Sequence, residues 1–284
     1  MKRIGKFLLR GLSVIVILVL ILGAGGAYYF KSYLPNTVAP KSFPKIDGEI
    51  QLEGLNAPVN IYRDKMGIPH IYATTSHDLF FAQGYIHAQD RFWQMDFYRH
   101  VGEGRTAEMF GKSSVDTDKF LTTLGWRRRS EQEYQAFTGE SKAILTSYAE
   151  GVNAYLKDHD GDAVSLEYSI LKLLSPDYKI EQWTPLNTLA WAKALAWDLR
   201  ASMDEDIQRA ILLKTLTPEQ VTELFPPYPD DHPVIVNQIG EEASTKAPSQ
   251  PTAFDIPDGT LAALQHNVSL LDKVLGPLSE GVGS

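Results

Sequence analysis

From Gly11 to Phe30 the chain runs for twenty residues without a charge, and no other stretch restricts its folding so tightly. At about 1.5 Å of rise per residue, a helix of that length spans roughly the 30 Å hydrocarbon core of a bilayer. A soluble core helix fits poorly, because the run stands at the N-terminus, follows a basic flank and has no polar face. Lys2, Arg3, Lys6 and Arg10 precede it and only Lys31 stands just after, so the N-terminus is expected inside and the remainder outside. Two readings fit. The length favours an uncleaved anchor, which makes a single-pass protein of the cell membrane with its domain outside the cytoplasm. A cleavable signal peptide, and hence secretion, is the alternative: the richest apolar part, Leu12 to Leu22, is short, and Gly25-Gly26-Ala27 offers small residues at a cleavage spacing.

Composition narrows what the exported part does. The 284 residues are 44% hydrophobic and 11% aromatic, enough to bury a core in one large domain or two small ones. The four basic residues before Gly11 offset part of a more acidic body, so a formal net charge of −8 for the whole becomes −12 after residue 10. Such a body offers little to nucleic-acid phosphates. The absence of cysteine excludes disulfides, thiolate nucleophiles and Cys-ligated zinc, leaving packing, helped by a hard cation, to supply stability.

Residues 31–47, with Pro35, Pro40 and Pro44, read as an extended spacer. Ile50 to Leu55, Val59 to Arg63 and Ile68 to Ala73 are short β-rich runs broken by turn residues, so a small sheet is expected to open the domain. Ser76 reads as an N-cap, with apolar residues at helical spacing through Phe80, Tyr85, Ala88, Phe92 and Met95. Further helices are expected over Ala143 to Leu156 and Leu186 to Leu199, and from Thr217-Pro218, where proline takes the first helical position. Pro226-Pro227-Tyr228-Pro229 ends the pattern. Ile239 to Pro257 has a linker composition, and Leu261 to Val274 regain helical spacing before Gly276-Pro277.

The stretch from Phe81 to Gly111, which reads Phe-Ala-Gln-Gly-Tyr-Ile-His-Ala-Gln-Asp-Arg-Phe-Trp-Gln-Met-Asp and onward, resembles the first long helix of the penicillin acylase family. Ile61 to Ala73, Tyr148-Ala149-Glu150-Gly151-Val152-Asn153-Ala154-Tyr155 and Trp183-Thr184-Pro185 add to the resemblance, which runs from about Ile50 to Phe225. Members of that family are N-terminal-nucleophile hydrolases cut from one precursor into an α chain, a spacer and a β chain. The resemblance implies an α+β fold, the mainly helical N-terminal portion of an αββα sandwich preceded by one transmembrane helix. It divides the chain into an anchor or signal segment (1–30), the spacer (31–47), an α-chain-like domain (48–238), a linker peptide (239–283) and, at 284, the start of a β chain.

Gly281-Val282-Gly283-Ser284 resembles the junction at which such precursors cut themselves. The resemblance implies Ser284 as nucleophile and Gly283 as the residue before the cut. A serine hydroxyl needs a base, and in this class the base is the α-amine that the cut releases. The expected reaction is amide hydrolysis, freeing an apolar acyl group from an amine of the β-lactam or acyl-homoserine lactone class, with the β chain of the same precursor as partner. A truncated, non-catalytic membrane-anchored binding or assembly domain is the competing expectation. The resemblance places Glu205 where an α-chain glutamate helps bind Ca²⁺, while by itself Glu205 reads equally as part of an acidic helix start. It also sets Leu195, Trp197 and Leu199 near an apolar acyl pocket. Asp198 departs from better-known members, which carry a basic residue there, so their substrate preference does not transfer.

Two features are set aside. Asp158-His159-Asp160-Gly161-Asp162 begins like a calcium loop, but Ala163 and Ser169 stand where that loop requires glycine and glutamate, so a helix end and polar turn are expected. His70, His77, His87 and His100 are too widely spaced to read as one metal site. Gln89-Asp90-Arg91 and Arg105-Thr106-Ala107-Glu108 are expected to lock the long helix through ion pairs, an architectural task.

Overall fold

The computed structural model describes residues 2–199, 203–226 and 257–279. The chain divides into two compact units, Met1–Ala194 and Leu195–Ser284.

The first unit begins with α1 (Lys2–Tyr28), whose side chains from Leu12 to Leu22 are exposed. It is long and apolar enough to cross a membrane. The chain then stays helical, where an extended spacer was expected: a π-helical stretch covers Tyr29–Val38 and a 3-10 turn Ala39–Ser42. The proline at 35 explains the π form of this stretch. Proline lacks an N–H and crowds the carbonyl one turn back, and the wider π turn relieves that conflict without breaking the helix. Val38 is buried, so the helical segment ends inside the folded domain.

Of the three expected strands, two form: β1 (Asn60–Arg63) and β2 (Pro69–Tyr72) pair antiparallel, with Ile61 opposite Ile71 and Tyr62 opposite His70. Ile50 to Leu55 is irregular; Gly54 has φ +105°, a conformation that interrupts a strand. The helix α2 (Ser76–Glu103) begins one residue earlier than Ser76 alone suggested, because Thr75 is the cap and accepts from the Asp78 N–H at 3.1 Å. It bends at Arg91, where φ is −145°, and ends at Gly104 in the left-handed conformation.

Short helices follow: α3 (Thr106–Phe110), α4 (Val115–Leu124) and α5 (Trp126–Ala136). Asp118 of α4 holds the start of α3 by accepting from the N–H groups of Thr106 and Ala107, each at 2.7 Å. Then come α6 (Gly139–Asp158), a 3-10 turn at Gly161–Ala163 and α7 (Leu166–Leu174). The would-be calcium loop is thus a helix end and turn. The core forms where α2 packs on α6, with Phe92, Met109, Val152, Tyr155 and Trp183 buried together.

Two glycines set the α2–α6 approach. A Cβ at Gly84 would overlap the Tyr148 carbonyl, and one at Gly151 would overlap the carbonyl of Phe81, so the backbones meet with nothing between them. Both lie within the motifs quoted above. The hairpin is fastened to α2 beside the bend: Arg63 of β1 donates to Asp90 through Nη1 at 2.8 Å and Nη2 at 2.7 Å, and to Gln89 at 3.0 Å. The expected lock is therefore real, with Arg63 and not Arg91 as the cation.

Helix α8 (Pro185–Asp198) crosses the boundary between the units. The second unit contains α9 (Met203–Leu212), α10 (Pro218–Leu224) and α11 (Asp258–Ser279). Thr217 caps α10 in a reciprocal arrangement with Gln220. Helix α11 continues two residues past the Gly276-Pro277 stop expected from sequence. Among the described residues the only sheet is the two-stranded hairpin.

Candidate functional site

Asp96, Arg99 and His100 sit at i, i+3 and i+4 on α2, hence on one face, and all three are buried. A carboxylate in such a place requires donors, and it has them. Arg99 Nε donates to Oδ1 at 2.7 Å; the hydroxyls of Tyr168 and Tyr178 donate to Oδ2 at 2.5 and 2.6 Å. His100 Nδ1 lies 2.7 Å from the Asp96 main-chain oxygen and 3.4 Å from Oδ1. Burial by itself would raise the Asp96 pKa, but the His100 hydrogen bond and the Arg99 charge outweigh it and hold the carboxyl at about 2. Burial, followed by the charge of Asp96, pushes both tyrosines upward.

With its acceptor sites filled, Asp96 has no role as a base. It acts as a strut joining α2, α7 and the segment before α8. Arg99 extends the strut by donating to the main-chain oxygens of Gln182 at 3.1 Å and Glu181 at 3.2 Å, its guanidinium against the Trp183 ring. Trp183 is held from α6 as well: Asn153 Oδ1 accepts its N–H at 2.7 Å, and Asn153 Nδ2 donates to its carbonyl at 2.9 Å. Asn187 then accepts from the Thr184 N–H at 2.7 Å and donates to the buried Glu103 at 2.8 Å. Glu103 also receives Arg105 and Arg127, at 3.0 and 2.7 Å. The start of α8 is therefore fixed from three sides.

Leu195 and Trp197 stand in the last turn of α8. Both are partly buried, and Leu199, one residue past the helix, is 61% exposed. Leu199 closes a turn onto the Leu195 carbonyl at 3.0 Å, so these two share a face, while Trp197, two positions on, lies round the helix from them. Glu205, in the first turn of α9, is exposed. Its Oε2 accepts from Arg209 at 3.0 Å, and Asp206 shares the same guanidinium. One such carboxylate supplies one or two oxygens of the six to eight that Ca²⁺ takes, and the ion would have to displace Arg209. Among the described residues no three His, Asp or Glu side chains are grouped to hold a metal. Gly283 and Ser284 lie outside the described residues.

The four histidines are local fixtures: His70 faces Asp64, His87 the Tyr148 hydroxyl, His100 the strut, and His77 bridges Asp78 at 3.1 Å and Glu150 at 3.2 Å. Arg105 takes Glu108 through two nitrogens, at 2.8 and 2.7 Å, and reaches Glu181 as well. Sequence reading missed the strut. Its one legible sign was the spacing of Asp96, Arg99 and His100 at i, i+3 and i+4 on a predicted helix; Tyr168 and Tyr178 gave none. A cleft of about 950 Å³ borders the strut at Tyr178 and Asn153, and includes none of the residues expected to bind substrate.

Residues 58–284 match the family model described as Penicillin amidase. The acyl-homoserine lactone acylase QuiP of Pseudomonas fluorescens (strain Pf0-1) is 33% identical over 194 residues, which cover 68% of this chain and 23% of that protein. The penicillin acylase 2 proenzyme of Pseudomonas sp. (strain SE83) is 34% identical over 154 residues, covering 54% and 19%. This chain thus spans about a quarter or less of the relatives' length. Among solved structures, a thermostable penicillin G acylase from Alcaligenes faecalis is similar with a TM-score of 0.50 and 26% identity, over 63% of this chain and 97% of that one.

Proposed function

Because the chain belongs to the penicillin amidase family, we propose that it is the α portion, with the processing junction, of an amidohydrolase that frees an apolar acyl group from an amine. The carrying observation is the extent of the family match, which begins in the β1–β2 hairpin region and continues to Ser284. That a solved acylase chain is matched over 97% of its length supports a division in which a piece of this size stands as a separate polypeptide. That one relative is a penicillin acylase proenzyme supports maturation by cutting.

In this reading the Ser284 hydroxyl attacks the carbonyl of Gly283, the peptide bond becomes an ester, and water releases the ester. Gly283 suits the strained geometry. The freed α-amine of Ser284 then takes the hydroxyl proton as the serine attacks the substrate amide, and returns it to the leaving amine. Leu195 and Leu199 on one face, and Trp197 on another face of the same helix end, offer apolar surface for the acyl group. The substrate is a β-lactam or an acyl-homoserine lactone amide, the two classes named among the relatives. Glu205 contributes one ligand to a structural Ca²⁺ whose other ligands come from the β chain. Helix α1 anchors the enzyme, with the folded units outside the cytoplasm; cleavage after Ala27 as a signal peptide is the alternative supported by the same helix. The β chain of the complete fold adds the sheets of the αββα sandwich.

The test is expression of the chain joined in frame to a β segment. A new N-terminus at Ser284, together with acyl-amide hydrolysis, is expected, and Ser284→Ala should abolish both at once. A cut at another residue, or an active Ser284→Ala variant, removes Ser284 as nucleophile.

A further inference from the structure

Helix α7 is apolar on two opposite sides. Tyr168 and Leu171 face the core, while Leu166, Ile170, Leu173 and Leu174 fall at i, i+4, i+7 and i+8 on the other side. Ile170 is 45%, Leu173 76% and Leu174 69% exposed. Single exposed leucines are ordinary; a stripe with helical spacing on a water-facing side needs a cover.

The place of this helix in the fold names the cover. The root of α1 is seated three residues before α7: Ala39–Ser42 packs on the Gly161–Ala163 turn, and Lys41 Nζ meets Asp162 Oδ2 at 2.8 Å. Ser42 and Pro44 share a cleft with Val164, Ser165 and Glu167, so Phe43 between them, 66% exposed, stands at the start of α7. The tether is short because it is helical. From Phe30 to the buried Val38, eight helical steps advance about 12 Å, where an extended chain would reach about 27 Å. Tyr28, Phe30 and Tyr33 are exposed along its beginning, the residue type that sits at headgroup level. The polar layer on one side of a bilayer is about 5–7 Å deep, and interfacial helices bury their apolar face about 5–10 Å into it.

We infer that the outer stripe of α7, with Phe43, rests on the lipid bilayer from which α1 emerges, so that the first unit lies against the membrane surface. This rests on the anchor reading of α1. Lipid is the occupant because the tether leaves the domain no room to stand away from the surface, and because the stripe adjoins the tether's own seat.

The chain has no cysteine, so single labels are clean. Leu18→Cys, Leu173→Cys and Met66→Cys variants of the full chain, each carrying an environment-sensitive fluorophore, are placed in phosphatidylcholine vesicles with nitroxide-labelled acyl chains. The expected result is loss of emission at positions 18 and 173, with 173 quenched more strongly by a nitroxide near the headgroup than by a deep one, and an aqueous, unquenched signal at the hairpin position 66. Quenching at 18 with an aqueous 173 overturns the docking and leaves the anchor standing. A blue-shifted 173 that nitroxide lipids do not quench means that protein covers the stripe, and also overturns it. An unquenched 18 removes the anchor, and the docking with it.

Discussion

The Tyr168 hydroxyl donates to the Asp96 carboxylate at 2.5 Å, joining α7 to α2 across 72 positions of sequence. Tyr178 converges on the same oxygen. Removing either hydroxyl leaves a buried carboxylate short of a donor, and hydrogen bonds to charged groups contribute about 1.5–3 kcal/mol. Tyr168→Phe should therefore lower stability by about that amount in chemical denaturation. The double variant with Asp96→Asn should lose much less than the sum of the two single changes.

Asp96 also predicts an acid limb. Its folded pKa is lowered from 3.8 to about 2, so its contribution is full above the unfolded value and is lost as pH falls from about 4 toward 2. The difference amounts to about 2 kcal/mol. Stability measured between pH 5 and 2 should fall more steeply in the parent than in Asp96→Asn, by roughly that amount.

Gly84→Ala and Gly151→Ala each drive a methyl into a carbonyl of the opposing helix. Overpacking of this kind costs about 1–3 kcal/mol, and helices whose backbones touch have little slack. Gly139→Ala is the control, since a methyl there meets nothing within 4 Å and should be neutral or slightly stabilising. Thermal unfolding of the three variants separates contact from helix propensity.

His77 lies between Asp78 and Glu150, with Asn56 also against its Nδ1. The Asp78 hydrogen bond, helped by Glu150 and opposed by burial, raises its pKa above 6.5. The clasp is therefore complete below 6.5 and loosens as pH rises through the raised value. In Glu150→Gln the imidazole should titrate at lower pH by NMR; an unchanged midpoint would remove Glu150 from the clasp.

If Glu205 is a Ca²⁺ ligand as proposed, Glu205→Ala in the chain joined to a β segment should weaken Ca²⁺ binding, as a shell missing one oxygen holds a hard cation less well. Arg209→Ala, which releases Glu205 from its present partner, should leave binding intact or strengthen it. Calorimetric titration of both variants tests the assignment, and equal affinities in Glu205→Ala and the parent end it.

Much of this architecture was legible where the signal is local. The charge-free run, the Thr217-Pro218 helix start and the apolar spacing of α6 and α11 follow from neighbours within a turn or two. The failures are also physical. Ile50 to Leu55 has strand composition, but strand formation depends on a paired backbone and Gly54 interrupts it. Residues 31–47 looked extended because three prolines were counted as breakers, yet Pro35 is accommodated by a wider turn. The long-range partners of Asp90, Asp96 and Trp183 lie 27 to 82 positions away, and no pattern along the chain announces them. The expected site residues fared according to place: Leu195 and Leu199 share a face, Glu205 is paired, and the junction at Gly283-Ser284 lies outside the described residues.

The reciprocal glycine contact between α2 and α6 has the character of a vernier. Backbone resting on backbone leaves no side chain whose exchange could shift the crossing, and sliding α6 by one turn would present Ser147 or Tyr155 to Phe81 in place of Gly151. The two helices are thus indexed to one another at a single setting. Asp96 on one and Asn153 on the other are delivered to the segment before α8 at a fixed spacing, while the surrounding side chains remain free to diverge.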